Sequence, residues 1–328
     1  MPKLALVGEA YGGQEAKEGK PFVGAAGKML DTLLRAAGVD RADCFVTNVF
    51  NQRPPDNDVT YFFGPKKEAA EGFKPLRASK WLKAEFVPEL ERLRGELSSY
   101  EVIVPLGGTA LWALTGYSNI SIRRGAWHDA EHCLPTYHPA AILRQYIWFP
   151  LAVSDLAKAK GLSDGTWKPA GFNLIPRPTY EQVCEFLADA VNGSEPITFD
   201  IETSPKFRAI TCIGIGCAGR FMCIPLSDEA SKGFSYWPDV ATEVEVLRRI
   251  KQVLEFKGIP KIAHHSSYDV TWLHEILGIK VAGPLLDTRI IHHGLMPELP
   301  HSLASIAHTY MILPPWKALR KASKEEQE

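Results

Sequence analysis

Residues 3–49 read KLALVGEAYGGQEAKEGKPFVGAAGKMLDTLLRAAGVDRADCFVTNV, and the order of patterns in this stretch sets the architecture of the first half of the chain. KLALVG (3–8) is short, apolar and stopped by glycine, which predicts a buried strand. Ala26, Met29, Leu30, Leu33 and Leu34 recur at helical spacing within 24–38, and Gly38 stands where a helix-terminating glycine belongs. DCFVTNV (43–49) predicts a second strand. Further out, an amphipathic helix is expected over 79–96, a third buried strand over 100–106 (YEVIVPL), and a helix opened by Gly107 and Gly108. Residues 51–78 are polar, aromatic and broken by proline and glycine, and read as a long loop or lid. Strand alternating with helix implies an α/β fold with a mostly parallel sheet.

The second half follows another plan. Periodicity lapses over GLSDGTWKPAGFNLIPRP (161–178), a composition suited to a linker that passes into a new first strand. A helix at 179–191 then precedes ITFDIET (197–203), TCIGIGC (211–217) and FMCIPL (221–226), the last two separated only by AGR. That spacing predicts an antiparallel meander. Helices are expected near 240–256, 267–278, 285–294 and 302–311, and no internal repeat is visible. The boundary falls near residue 170, with a first domain over 1–162, a linker and first strand over 163–178, and a second domain over 171–328.

Length and composition agree with two domains: 328 residues, 45% hydrophobic and 23% charged. No stretch approaches the roughly 18 apolar residues of a membrane span, and MPKLALVGEA lacks the core and cleavage site of a signal peptide. Six cysteines without metal-finger spacing argue against a disulfide framework and for a reducing cytoplasm. The net charge of −1 is spread evenly over both halves, so nucleic acid would be bound through local patches and a shaped pocket.

Four segments of the first half fall at strand ends and adjacent loops, where open α/β sheets bind ligands: GEAYGGQE (8–15), KPFVGAAG (20–27), TNVFNQRPP (47–55) and PTYHPAAILR (135–144). Singly, each has a plain reading: Gly12 and Gly13 as a turn, Phe22 as a core aromatic, Asn48 as a turn residue, His138 as a core histidine. In this order and spacing they resemble the uracil-DNA glycosylase superfamily, particularly its family 4-like branch, over roughly residues 3–160. The resemblance implies an α/β/α domain that flips uracil out of DNA and cleaves its bond to the sugar. Such a site needs base stacking, edge recognition and stabilisation of both a sugar cation and a uracil anion. Phe22 would stack on the base and Asn48 would read its edge, within a pocket lined by Gly8, Ala10 and Tyr11. Glu9 would position water and stabilise the cation, while His138 would donate to the uracil oxygen that gains charge. Arg144 would meet a phosphate, and Arg123 and Arg124 in SIRRG are candidate DNA contacts. The chain departs from the pattern at Tyr11, where the motif has proline, which alters the loop that excludes bulkier bases. Many relatives hold an iron–sulfur cluster on four cysteines; this domain has only Cys44 and Cys133, so no cluster is expected. Residues 56–78 exceed what the connection needs and are expected to act as a lid over substrate.

In the second half, Asp200 and Glu202 of DIET alternate along a strand and so share one face. Paired carboxylates suit a divalent cation; the plain reading is an exposed acidic strand end. AHHSSYDVTWL (263–273) places Asp269 at a helix start, and LLDT (285–288) and HSLASIAHTYM (301–311) follow. The series resembles the proofreading 3′–5′ exonuclease domain of family A DNA polymerases over roughly 171–316, which implies a ribonuclease H-like fold with a mixed sheet. By that resemblance Asp200, Glu202 and Asp269 match three of four metal ligands for Mg2+ or Mn2+, and Asp287 with Thr288 matches a structural helix start. His265 stands where the family commonly has asparagine, and the Tyr-x-x-x-Asp motif of the fourth ligand does not occur after Trp316. Residues after Lys317 read as a charged helix or tail. The expected protein acts on DNA (uracil-containing, single-stranded or at 3′ ends), belongs to viral-type, phage-like replication, and excises uracil beside an exonuclease domain of reduced activity. The rival reading is a non-catalytic uracil- or single-strand-binding module of a split phage polymerase, docked on a polymerase subunit.

Overall fold

The apolar run at the amino terminus becomes β1 (Leu4–Ala10), whose residues Leu4 to Val7 are buried, as a parallel strand covered on both faces requires. It is followed by α1 (Gly13–Glu18), α2 (Ala25–Ala36) and β2 (Cys44–Phe50). Then come the short β3 (Phe63–Gly64) and β4 (Trp81–Leu82), α3 (Val87–Leu97), β5 (Val102–Pro105), α4 (Gly108–Thr115), α5 (Ile120–Arg123), α6 (Pro139–Arg144) and α7 (Phe149–Ser163). The parallel sheet runs β2–β1–β5. Beyond α5, Cys133 and Thr136 make isolated parallel bridges to Ile103 and Leu106. The computed structural model describes residues 4–169, 171–204, 206–228 and 235–315. No helix among them is long and apolar enough to cross a membrane.

The segment after β2 departs from expectation. Phe62, Phe63, Ala70 and Leu76 are buried and pack with Phe50, Leu82, Phe86 and Leu90. Phe50 and Phe62 stack with ring centroids 3.8 Å apart, and Phe86 meets Phe62 edge-on. These aromatics anchor a series of tight turns and the β3–β4 ribbon into the core, so the lid expected over 56–78 is a packed layer, and only its entry reaches the binding cavity described below. The helix expected at 79–96 starts later, at Val87, because Trp81 and Leu82 are drawn into the ribbon and Pro88 sits in the first helical turn.

The second unit begins with β6 (Asn173–Ile175) and α8 (Tyr180–Asn192), whose start is fixed by a reciprocal capping box between Thr179 and Gln182. The meander follows as β7 (Ile197–Ser204), β8 (Ala209–Cys217) and β9 (Arg220–Pro225). After α9 (Val240–Glu255) come β10 (Lys261–Ala263), α10 (Ser266–Leu277), β11 (Leu285–Asp287) and α11 (Thr288–Leu295). The sheet order is β11–β10–β7–β8–β9–β6, with β7–β8–β9 antiparallel and the outer pairings parallel. Ile197, Phe199 and Ile201 enter the core with Ile213, Ile215, Met222 and Ile224, leaving Asp200 and Glu202 on the other face. Residues 285–287, expected to be helical, pair as an edge strand; Asp287 accepts from Arg289 and Ile290 and so starts α11 one residue later.

The last described helix, α12 (Leu303–Tyr310), was expected in the second domain. The chain divides instead into residues up to Ala170 together with those from Ala304 onward, and Gly171–Leu303. The charged tail expected after Lys317 lies outside the described residues.

Truncating Phe62 to alanine should lower unfolding free energy by about 3–5 kcal/mol in urea titration, because a stacked core ring is lost. An unchanged midpoint would return 56–78 to the status of a lid.

Candidate active sites

A cavity of about 460 Å3 opens at the carboxyl ends of β1 and β2, and Glu9, Ala10, Tyr11, Phe22, Asn48, His138 and Arg144 all line it. Its floor depends on a missing atom. A Cβ on Gly8 would stand 2.2 Å from Asn48 Oδ1 and 2.5 Å from the Phe22 ring, so only glycine lets the amide and the ring approach so closely. Asn48 is buried, and its backbone carbonyl accepts from Arg92 Nη2 at 2.9 Å, which holds the end of β2. The Phe22 ring lies 5.6 Å from the His138 ring, tilted by 32°.

Phe22 reaches this position through left-handed backbone, φ 55°, a costly conformation for an aromatic residue. Two sets of contacts hold it there. Glu15 Oε1 accepts from Val23 N–H at 3.2 Å and from Gly24 N–H at 2.8 Å. Arg41 Nη2 donates to Phe22 O at 3.1 Å while Nη1 pairs with Asp31 at 2.5 Å. Gly27 leaves room for this arrangement, since a Cβ there would meet Phe22 O at 1.9 Å. Sequence reasoning singled out none of these supports. The Glu15 carboxylate stands in GEAYGGQE, and its signal was a charged residue close enough in sequence to fold back on the PFVG loop.

The two groups expected to act chemically are both perturbed. Burial raises the Glu9 carboxyl above its ordinary value, opposed by the hydroxyl of Thr109, which donates to Glu9 Oε2 at 2.5 Å, and by Arg77 and Arg144. Burial, with the nearby Arg144 charge, depresses His138 to about 4. Its Nδ1 accepts from Ala140 N–H at 3.1 Å at the start of α6, which places the proton of the neutral ring on Nε2. His138 is therefore a neutral donor at physiological pH. Tyr137, stacked on Trp148 at 4.4 Å, and Ser121 complete the wall beside it.

Two expected DNA contacts are corrected. Arg124 is 4% exposed and bidentate to Asp155 at 2.9 and 3.0 Å, so its charge is spent inside the protein. Arg123 is likewise covered, its guanidinium 3.5 Å from the Tyr117 ring centroid. Arg144 alone of the three arginines lines the cavity.

In the second unit, Asp200 and Glu202 sit exposed on one face of β7, opposite Gly214 and Cys212. Asp269, in the first turn of α10, is buried and accepts from Ile201 N–H at 3.0 Å, which ties the helix to the strand between the two carboxylates. Burial and then the Asp200 charge raise Asp269 to about 6. Asp287 is different: burial works against its charge, yet hydrogen bonds from Ser266, His265 and Arg289 hold it down to about 2. It shapes the left-handed turn at His265, φ 61°. Among the described residues no three His, Cys, Asp or Glu side chains converge to hold a metal ion. The fit is therefore to the Asp200–Asp269 pair, whose mutual repulsion and oxygen donors suit one hard cation.

Comparison with known proteins agrees with both halves. Residues 1–157 match the model of the uracil DNA glycosylase superfamily, and residues 178–327 match that of a 3′-5′ exonuclease, a type of domain that generally uses divalent metals. The chain is 35% identical over 165 residues to a type-4 uracil-DNA glycosylase of Thermotoga maritima, covering 48% of this chain and 76% of that protein. It is 48% identical over 153 residues to the type-4 enzyme of Saccharolobus solfataricus, covering 43% of this chain and 62% of that protein. Similarity to the DNA polymerase of Bacillus phage SP01 runs through both halves, 23% over 326 residues, covering 88% of this chain and 32% of the polymerase. Among solved structures, Escherichia coli RNase D aligns with a TM-score of 0.31 and 17% identity over 43% of this chain and 33% of that one. The chain thus belongs to the uracil-DNA glycosylase superfamily and carries a 3′-5′ exonuclease domain in its second half.

Proposed function

We propose that the first unit excises uracil from DNA by hydrolysing the bond between base and sugar. The observation that carries this reading is the single cavity in which Glu9, Phe22, Asn48 and His138 meet. A flipped uracil would stack on Phe22, and the Asn48 amide would match its paired carbonyl and N–H edge. As the bond from C1′ to the base nitrogen breaks, its electron pair leaves with uracil. The Nε2–H of neutral His138 would donate to the oxygen that takes up this charge, while the Glu9 carboxylate faces the cationic sugar until water adds to C1′. Arg144 at the rim would meet a backbone phosphate. Cys44 and Cys133, both buried, cannot alone supply a four-thiolate cluster, and no step needs one.

The second unit would act on 3′ ends of DNA with reduced activity. Asp200 and Asp269 would hold Mg2+ or Mn2+, with Glu202, the third expected ligand, on the same strand face; in such sites the ion activates water and stabilises the leaving oxygen. In the protein itself, Asp269 fixes α10 against β7, and the face bearing Asp200 and Glu202 is open to a strand. DNA is the proposed partner of both units, and a polymerase subunit a further one.

Replacing Asn48 by alanine should slow uracil release from a single-uracil oligonucleotide roughly ten- to a hundredfold, since an unread base edge costs about 1–3 kcal/mol. Release at the parent rate would sink the assignment, and tight binding without release by the parent would favour the binding module. The pH profile gives a second check. Because the Glu9 pKa lies above its usual 4.5 and the carboxylate is the working form, excision should rise as pH climbs through that raised value and then level off. His138, at about 4, is already neutral there. Glu9→Gln should be slow and lack this limb; an unaltered limb would remove Glu9 from the mechanism. For the second unit, a 3′-labelled single strand should be digested slowly or not at all in Mg2+, and faster in Mn2+. Brisk digestion in Mg2+ that Asp200→Ala abolishes would show a complete two-metal site.

A further inference from the structure

Behind the cavity lies a buried ionic cluster that the excision chemistry does not use. Asp155 and Lys158, one turn apart on α7, are fully buried beside Arg124. Arg124 Nη1 spans both oxygens of Asp155, and Thr136 Oγ1 donates to Asp155 Oδ2 at 2.8 Å. The second face of the cluster is closed by residues that belong by sequence to the exonuclease half. Arg124 Nη2 donates to Thr309 Oγ1 at 2.8 Å, Ser154 Oγ to Thr309 O at 2.8 Å, and Lys158 Nζ to Gly125 O at 2.8 Å and to His308 O. Trp127 N–H donates to Leu313 O at 2.8 Å. Gly125, at φ 68°, admits the approach, because a Cβ there would stand 2.4 Å from His308 O.

The cluster also grips two walls of the cavity. Arg124 directly follows α5, which supplies Ile120 and Ser121 to the lining. Thr136 directly precedes Tyr137 and His138, and its backbone is held on both sides by Pro105 O at 3.0 Å and Gly107 N–H at 2.8 Å. Gly125 N–H donates to Pro135 O at 2.8 Å, joining the two walls to each other. A short path therefore runs from Thr309 through Arg124, Asp155 and Thr136 to the residue that carries the donor proton. Buried ion pairs of this kind tolerate the loss of a partner poorly, since the remaining charge has no water to turn to.

We propose that residues 304–313 form a strap that completes the glycosylase pocket, with Thr309, Arg124 and Asp155 acting as positioning residues for His138. The proposal rests on the glycosylase reading of the cavity and deepens it: the exonuclease half contributes to excision through this strap rather than through its carboxylates. In a protein with one half removed, the pocket would be built but loosely set.

The test uses the full chain with Thr309→Val, which keeps shape but removes the acceptor for Arg124 Nη2, and Thr309→Ser, which keeps the hydroxyl. Two quantities are read: the single-turnover rate of uracil release at saturating protein, and amide hydrogen exchange in segments 120–125 and 133–138. The valine variant is expected to release uracil roughly tenfold more slowly with DNA affinity nearly unchanged, as a displaced catalytic group does. Exchange in both segments should quicken, and the serine variant should restore both. Faster exchange with an unchanged release rate would overturn the positioning role, leaving a tether. Unchanged exchange in both segments would overturn the strap altogether. Should the parent release no uracil, the glycosylase reading fails by itself, and the exchange data still decide whether the strap sets the two walls.

Discussion

The absence of a side chain at Gly8 is the constraint on which the binding cavity rests. The amide of Asn48 and the ring of Phe22 both occupy space that any Cβ at that position would take, at 2.2 and 2.5 Å. Bringing them together demands more. Phe22 must adopt left-handed backbone, which Glu15 and Arg41 hold and for which Gly27 leaves room. Strain of this kind persists only where the surroundings over-determine it, and here they fix a stacking face opposite a neutral histidine. A ring and an amide pre-set in this way suit the proposed recognition of an extruded nucleotide.

The two candidate sites treat charge in different ways. In the first, ionisable groups are buried with partners: Glu9 on Thr109, Asp155 between Arg124 and Thr136, Lys158 on backbone carbonyls. Burial with partial pairing gives a carboxyl of raised pKa and a histidine neutral at physiological pH. In the second, Asp200 and Glu202 stay on an open strand face, and the raised pKa of Asp269 reflects burial beside a like charge. One arrangement suits acid–base control without a cation, the other the capture of one.

Much of this was legible in the sequence because its signals are local. β1, α2, β2 and the β7–β8–β9 meander each follow from a short periodic run, and most of the cavity residues sit in four motifs within a few positions of strand ends. What was misread depends on distant partners. Arg124 looks like a solvated loop arginine in SIRRG, since Asp155 lies 31 residues away and Thr309 lies 185 away. The aromatic segment around Phe62 looks like a lid because its many prolines and glycines hide that Phe50 and Phe86 await it. Asp287 resembled a helix start and is one, for the bonds it accepts at 265–266 and 289 follow directly from its place at a strand–helix junction. The grouping of α12 with the first unit could not be read, because it rests on contacts such as Arg124–Thr309 and Ser154–Thr309 between residues more than 150 positions apart.

The most direct measurement is release of free uracil from a single-uracil oligonucleotide in the presence of EDTA, by the parent chain and by Gly8→Ala. With no metal chemistry open to it, the parent should still release uracil, and the alanine variant, folded to the same circular-dichroism spectrum, should release little, because its methyl group fills the space where Asn48 and Phe22 meet. Release by the alanine variant at the parent rate, or dependence of the parent's release on added divalent metal, would contradict the account.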